Sequence, residues 1–255
     1  MLWIDKSGLR VGVFPALEII APRLNFYFFS RAGGVSSPPF DSLNTSISTG
    51  DSAESVRQNR RLILKSINIK PEYLAEAEQV HGSNIRIVDK GGLYRETDGF
   101  ITGRDETALA VSTADCCPVF IYSPPENALA ALHVGRKGAA AGIITPAMDK
   151  LRNEFSIAPE LAVSLIGPAI CGQCYEVSGD IASEFAEDVV NSENGRYYLD
   201  LPLLAEKQLI SEGISPGNIF RSGLCTSCQP EHFFSHRRDR GKTGRHWSVA
   251  FIKER

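Results

Sequence analysis

Nowhere does the sequence run to 18 consecutive apolar residues, so it holds no stretch long enough for a membrane-spanning helix. Positive charge is not in excess either. Lys and Arg number 27 against 30 Asp and Glu, a formal net charge of −3, which excludes the broad basic field that recruits nucleic acid. The opening MLWIDKSGLR lacks the basic-then-apolar pattern of an export signal, which sets the expectation of a cytoplasmic location and reduced thiols. There is no internal repeat and no low-complexity linker, so the 255 residues are expected to form one domain over 1–255. The five histidines include no HxH pair, and histidine-rich clusters of that kind are what several copper ions would need.

What is present is an ordinary globular composition, 43% hydrophobic and 22% charged, enough to bury a substantial core. The aromatic run LNFYFF (24–29) reads as a strand, and RAGGVSSPPFDSLN (31–44) as a long loop. Asp51 with Glu54 three residues later resembles a capping box opening a helix, whose Val56, Ile63 and Ile67 fall near one face. Short strands are expected at 84–88, 98–102, 107–112, 117–122, 128–133, 161–166 and 247–252. Helices are expected at 138–154, 178–190 and 202–212. Strands cluster first and helices enter later, the α+β pattern.

Chemistry concentrates in six cysteines and five histidines. His81 lies in a loop before a strand, Cys116 at a strand start and His133 at a strand end. All three therefore sit where rigid elements hand side chains to a cleft. One thiolate and two imidazoles suit zinc with a position left open. The same trio also suits a metal-free Cys–His nucleophilic pair, and simple packing of a buried cysteine is a third reading. Cys117, adjacent in an extended segment, must face the other way and is expected in the core. Cys171–Cys174 and Cys225–Cys228 have the spacing of a four-cysteine zinc site. The 50 intervening residues are too many for a compact knuckle, so two separate thiol pairs are expected. HVGRKG (133–138) resembles a strand–turn–helix with Arg136 and Lys137 placed to hold an anion, and residues 237–245 carry five Lys and Arg, among them Arg238 and Arg245.

The segments SRAGGVS (30–36), FDSLN (40–44), VRQNRR (56–61), QVHG (79–82), TDGFIT (97–102), TADCCPV (113–119), HVGRKG (133–138), IGPAICGQCYEV (166–177) and CTSCQPEHFFSHRRDRGKTGR (225–245) together resemble the YfiH/laccase-domain family. The resemblance implies a single-domain mixed α/β sandwich with mixed β-sheets and flanking helices. It implies zinc on His81, Cys116 and His133, with copper as the alternative carried by the family's polyphenol oxidase label. It implies a nucleoside and phosphate as small-molecule substrates: phosphorolysis of adenosine, inosine and methylthioadenosine, and adenosine deamination. Peptidoglycan-precursor editing is a further role attached to the family. Within that frame Arg31, Arg136, Lys137 and the 237–245 cluster, Arg238 included, are candidates to clamp phosphate, Asn44 to bond ribose or base, and Asp115 to support the centre. This chain has HVGRKG where the family usually has HAGWRG, which leads to the expectation of normal metal binding with weakened substrate binding.

Overall fold

The structure is a computed structural model, described over residues 1–254. Two mixed sheets stack face to face. The first has seven strands, ordered Leu2–Lys6, Leu9–Val13, Leu24–Phe29, His246–Ile252, Ala108–Thr113, Leu74–Ala77 and Gly92–Tyr94. The second has six, ordered Ile219–Arg221, Val163–Ile166, Cys117–Ser123, Ala128–Val134, Gly99–Thr102 and Ile85–Ile87. No helix among the described residues is long and apolar enough to cross a membrane.

Period-two alternation explains the layering. From Cys117–Ser123, Phe120 and Tyr122 point between the sheets, where they meet Phe26, Phe28, Leu109 and Leu129. Cys117, Val119 and Ile121 point the other way, into a core shared with Ile144, Met148, Leu151, Leu201 and Leu209 of the helices Ile144–Phe155 and Leu201–Ser211. The first sheet's outer face, through Phe29, Ala110, Trp247 and Val249, is covered by Ile63 and Leu64 of the helix Ala53–Ser66. The result is the mixed α/β sandwich with helices on both flanks.

Several local expectations need correction. The first long helix is capped by Ser52, whose side chain accepts from Ser55 N–H, while Glu54 is spent on Arg57. Asp51 instead binds Ser36 Oγ at 2.6 Å and Asn44 Nδ2 at 2.9 Å. The helix expected over 138–154 is two helices, Arg136–Ala140 and Ile144–Phe155, separated at Gly142 with φ 67°. Within 178–190 only Gly179–Ala182 is α-helical. The rest leads into a hairpin, Val190–Glu193 with Arg196–Leu199, which turns on Asn194 and Gly195 at φ 50° and 74°. Asn-Gly is the turn that matches strand twist, and with Glu176–Val177 the hairpin forms a third sheet.

The 31–44 loop is ordered by a buried amide. Asn59, in the flanking helix, accepts from Val35 N–H and donates to Ser36 Oγ and to the carbonyls of Ser42 and Asn44.

His246 is 1% exposed, and its Nε2 accepts from Phe234 N–H at 2.7 Å. Burial, reinforced by the charges of Arg245, Arg31 and Arg238, pushes its pKa down to about 3. The folded state thus keeps this ring neutral while the unfolded chain takes a proton near pH 6.5. Stability contributed here is present above that value and is lost as pH falls toward the folded pKa, about 2 kcal/mol between pH 7 and pH 5. Urea unfolding across that range should show a shallower pH slope for His246→Gln than for the native chain. Equal slopes would remove His246 as the cause.

Candidate metal centre

The antiparallel pairing of Cys117–Ser123 with Ala128–Val134 sets His133 opposite Pro118, so Cys116 comes to lie beside the end of the histidine's strand. His81 arrives on the loop that carries the chain from Leu74–Ala77 of the first sheet to Ile85–Ile87 of the second. One donor atom from each of His81, Cys116 and His133 lies within 4.8 Å of the others, and the two rings meet edge to face with centroids 4.8 Å apart. His133 is 3% exposed, Cys116 is half-buried and His81 is open to solvent.

Asp98 organises this arrangement, and the sequence reading had not assigned it. It opens the Gly99–Thr102 strand and is 1% exposed. Its carboxylate meets His133 Nδ1 at 2.9 Å and accepts from the backbone N–H groups of Val80, His81 and Gly82 at 3.3, 2.9 and 2.7 Å. One carboxylate therefore fixes the tautomer of one histidine and the backbone under the other, whose φ is 61°. Burial pushes the Asp98 carboxyl up, but the hydrogen bonds from His133, Gly82 and His81 outweigh it and hold it below the usual range.

Burial also pushes the Cys116 thiol up, yet His133 and then His81 bring it down to about 6. In turn burial pushes His133 down, while the Cys116 thiolate and Asp98 raise it to about 9. The pairing favours the Cys116 thiolate, the form that binds metal, and His133 would give up its Nε2 proton as an ion takes its place. Asp98 occupies Nδ1 of His133, so Nε2 faces Cys116. A Cβ added at Gly135 would lie 3.1 Å from Cys116 Sγ and 3.2 Å from His81 Cδ2, so glycine keeps the space before the donors open. The donor set and this open space fit a borderline-soft divalent ion with three protein ligands. Cys117, as expected, is fully buried on the opposite face, and burial raises its thiol far above the usual value.

The residues expected to hold substrate divide into two groups. Arg136 is near the centre, 3.8 Å from Glu184 and close enough to Tyr175 for its charge to act on the hydroxyl, and Lys137 follows it on an exposed face of the short helix. The other three are committed within the protein. Asn44 donates to Ser46 O, Thr49 Oγ1 and Asp51 Oδ2 and accepts from Ser46 and Arg245 N–H, which leaves no free group for a ribose. Arg31 bonds Asp41 and Pro230 O and lies over the Phe234 ring. Arg238 is shared among Asp239, Thr226 O and Phe233 O. Asp115 does not face the histidines. It accepts from Thr226 Oγ1 and Arg237 N–H, both at 2.6 Å, and ties two loops together. Arg245, named from the sequence as a possible anion fork, lies close enough for the Cys116 and Asp115 charges to act on it, and one residue missed in the sequence also stands close by: Tyr175, under the Arg237 guanidinium. Tyr175 follows Cys174 in the quoted motif, but nothing in the linear sequence shows that it reaches this centre.

A sandwich carrying a cysteine and two histidines at its strand ends defines a class. The family model described as multi-copper polyphenol oxidoreductase laccase matches residues 25–253, and the chain belongs to that family. Among its relatives, purine nucleoside phosphorylase YlmD of Bacillus subtilis is 34% identical over 244 residues, covering 89% of this chain and 88% of the relative. A purine nucleoside phosphorylase of Streptomyces coelicolor is 36% identical over 226 residues, covering 87% and 92%. The crystal structure of YlmD from Geobacillus stearothermophilus superposes with a TM-score of 0.91 at 29% identity, covering 98% of both chains.

Proposed function

We propose that this chain is a zinc-dependent purine nucleoside phosphorylase, acting as one domain over residues 1–255. The observation that carries the proposal is the convergence of His81, Cys116 and His133 donors within 4.8 Å, oriented by Asp98. Relatives that bear the phosphorylase name over most of their length supply the reaction class. A zinc ion held by these three residues would supply Lewis acidity.

The chain's own residues do the rest. Phosphorolysis forms a bond from a phosphate oxygen to ribose C1′ as the bond to the purine nitrogen breaks. Arg136 and Lys137 supply positive charge for the phosphate. Burial raises the Tyr175 hydroxyl above its usual value, so it stays protonated at neutral pH and serves as a hydrogen-bond donor to the substrate. Adenosine, inosine and methylthioadenosine are the substrates, and the same centre is suited to replacing the adenosine amino group by water. Nucleoside substrates and unpaired thiols fit a cytoplasmic enzyme.

Incubation of the metal-replete protein with adenosine and phosphate should yield adenine and ribose 1-phosphate, and inosine would report deamination separately. Product no greater than that of Cys116→Ala would overturn the proposal. Arg136→Ala should raise the KM for phosphate about tenfold, the effect of one charge-assisted hydrogen bond, with metal content unchanged. An unaltered KM would take Arg136 out of the site.

The second reading is a copper phenol oxidase, favoured by the family description. Against it, the remaining histidines join no donor cluster among the described residues. His246 serves Phe234, and His232 packs on Trp3 with ring centroids 4.9 Å apart. Copper in protein purified without added metal, with oxygen consumed on a phenol, would favour this reading. A peptidoglycan-editing role would instead show as altered precursor composition in a deletion strain with no nucleoside turnover by the protein.

A further inference from the structure

The two CxxC pairs, expected to stand apart, do not. One donor atom from each of Cys171, Cys174, Cys225 and Cys228 lies within 4.8 Å of the others, and Cys174 and Cys228 Sγ are 3.4 Å apart. Topology explains why the 50-residue interval is no obstacle. Cys171 follows the Val163–Ile166 strand, Cys225 follows Ile219–Arg221, and those two strands are parallel neighbours. The intervening chain builds the third sheet and the Leu201–Ser211 helix, then returns beside its starting point. Beyond the strand ends the pairing resumes as a parallel bridge between Ala169 and Cys225, with Ala169 N–H donating to Leu224 O and Thr226 N–H to Ala169 O.

Each pair sits on a turn. Cys174 and Tyr175 N–H both donate to Cys171 O, at 3.0 and 3.1 Å. Across the pairs, Cys171 N–H points at Cys225 Sγ at 3.3 Å, a contact that favours a thiolate. A tetrahedral ion with metal–sulfur bonds near 2.3 Å needs sulfurs roughly 3.8 Å apart, a spacing this cluster reaches with small side-chain adjustment. Among the described residues no histidine or carboxylate joins the group, and none of the six cysteines is in a disulfide. Four sulfurs leave no open position, the pattern of a structural rather than a catalytic ion.

We infer that Cys171, Cys174, Cys225 and Cys228 form a second, structural zinc site, separate from the His81–Cys116–His133 centre. Zinc binds here as the thiol protons pass to solvent, with no change of oxidation state. The site joins the two loops that flank the first centre. Ile170 N–H donates to Asp115 O, and Thr226 Oγ1 donates to Asp115 Oδ1, one residue before Cys116. Arg238 holds the second loop through Thr226 O, which gives that arginine a structural purpose.

Metal content decides it. Protein purified without added metal should carry two zinc ions per chain by elemental analysis. Cys116→Ala should carry one, and Cys174→Ser/Cys228→Ser should also carry one. A single zinc in the native chain, lost completely in Cys116→Ala, would overturn the inference. So would iron in place of zinc, or an intact mass in non-reducing denaturant that shows disulfides among these four cysteines in freshly purified protein. Where the double variant does not fold, cobalt substitution of Cys116→Ala provides the same test. Strong sulfur-to-cobalt charge-transfer bands must remain after Cys116 is gone, and their absence would overturn the assignment. Zinc content is independent of turnover, so failure of the phosphorolysis assay leaves this test intact.

Discussion

Cys116→Ala protein is expected to lose the metal held with His81 and His133 and to phosphorolyse adenosine on the order of a thousandfold more slowly. A Lewis acid is worth several kcal/mol to a transition state, and each 1.4 kcal/mol is about tenfold in rate. Cys117→Ala is the matched control. Its sulfur is fully buried among Val119, Ile121 and the flanking helices, so its loss leaves a small void that costs about 1 kcal/mol and no metal. Elemental analysis and initial rates on both variants make the check. Equal metal loss from the two would show that the strand does not separate their roles.

Asp98→Ala should be the most damaging change to the centre that removes no metal-binding side chain. It strips the acceptor from three backbone N–H groups beneath His81 and from Nδ1 of His133. Unpaired buried donors cost about 1–3 kcal/mol each. Part of the 80–82 turn can turn to water, so a net loss of about 3 kcal/mol is expected on urea unfolding. Loss of a ligand's hydrogen-bond partner also weakens metal affinity about 10–100-fold, which chelator competition measures. Asp98→Asn keeps one acceptor oxygen and should fall between. A native midpoint and native affinity in Asp98→Ala would show that the carboxylate organises nothing.

The sequence announced the three donors because Cys116 and His133 stand at the ends of strands whose apolar runs were legible, because His81 lies in a loop leading to another such strand, and because a thiol with two imidazoles is a narrow chemical choice. It did not announce Asp98, since a buried carboxylate opening a strand looks like any turn residue until its four partners are in place. Arg238 and Asn44 were legible as polar residues in motifs, but whether such groups face substrate or their own loop depends on contacts across nearly the whole chain, such as Asn44 with Arg245. The four-cysteine cluster was discounted on linear distance, which a returning parallel strand makes irrelevant. The Val190–Leu199 hairpin was a different failure. Its Asn-Gly turn was visible, and the polar residues before it were given to a helix instead. The Leu2–Val13 hairpin, turning at Ser7 and Gly8 with φ 57° and 81°, was assigned to no element at all.

The unequal exposure of the two histidines divides their duties. His133 is locked by Asp98 beneath the surface, whereas His81 stands in solvent on a turn between the sheets. Of the two imidazoles that would hold an ion, the inner one is a fixed floor and the outer one a door hung on that turn, so traffic of metal to and from the centre would answer to the turn more than to the strands.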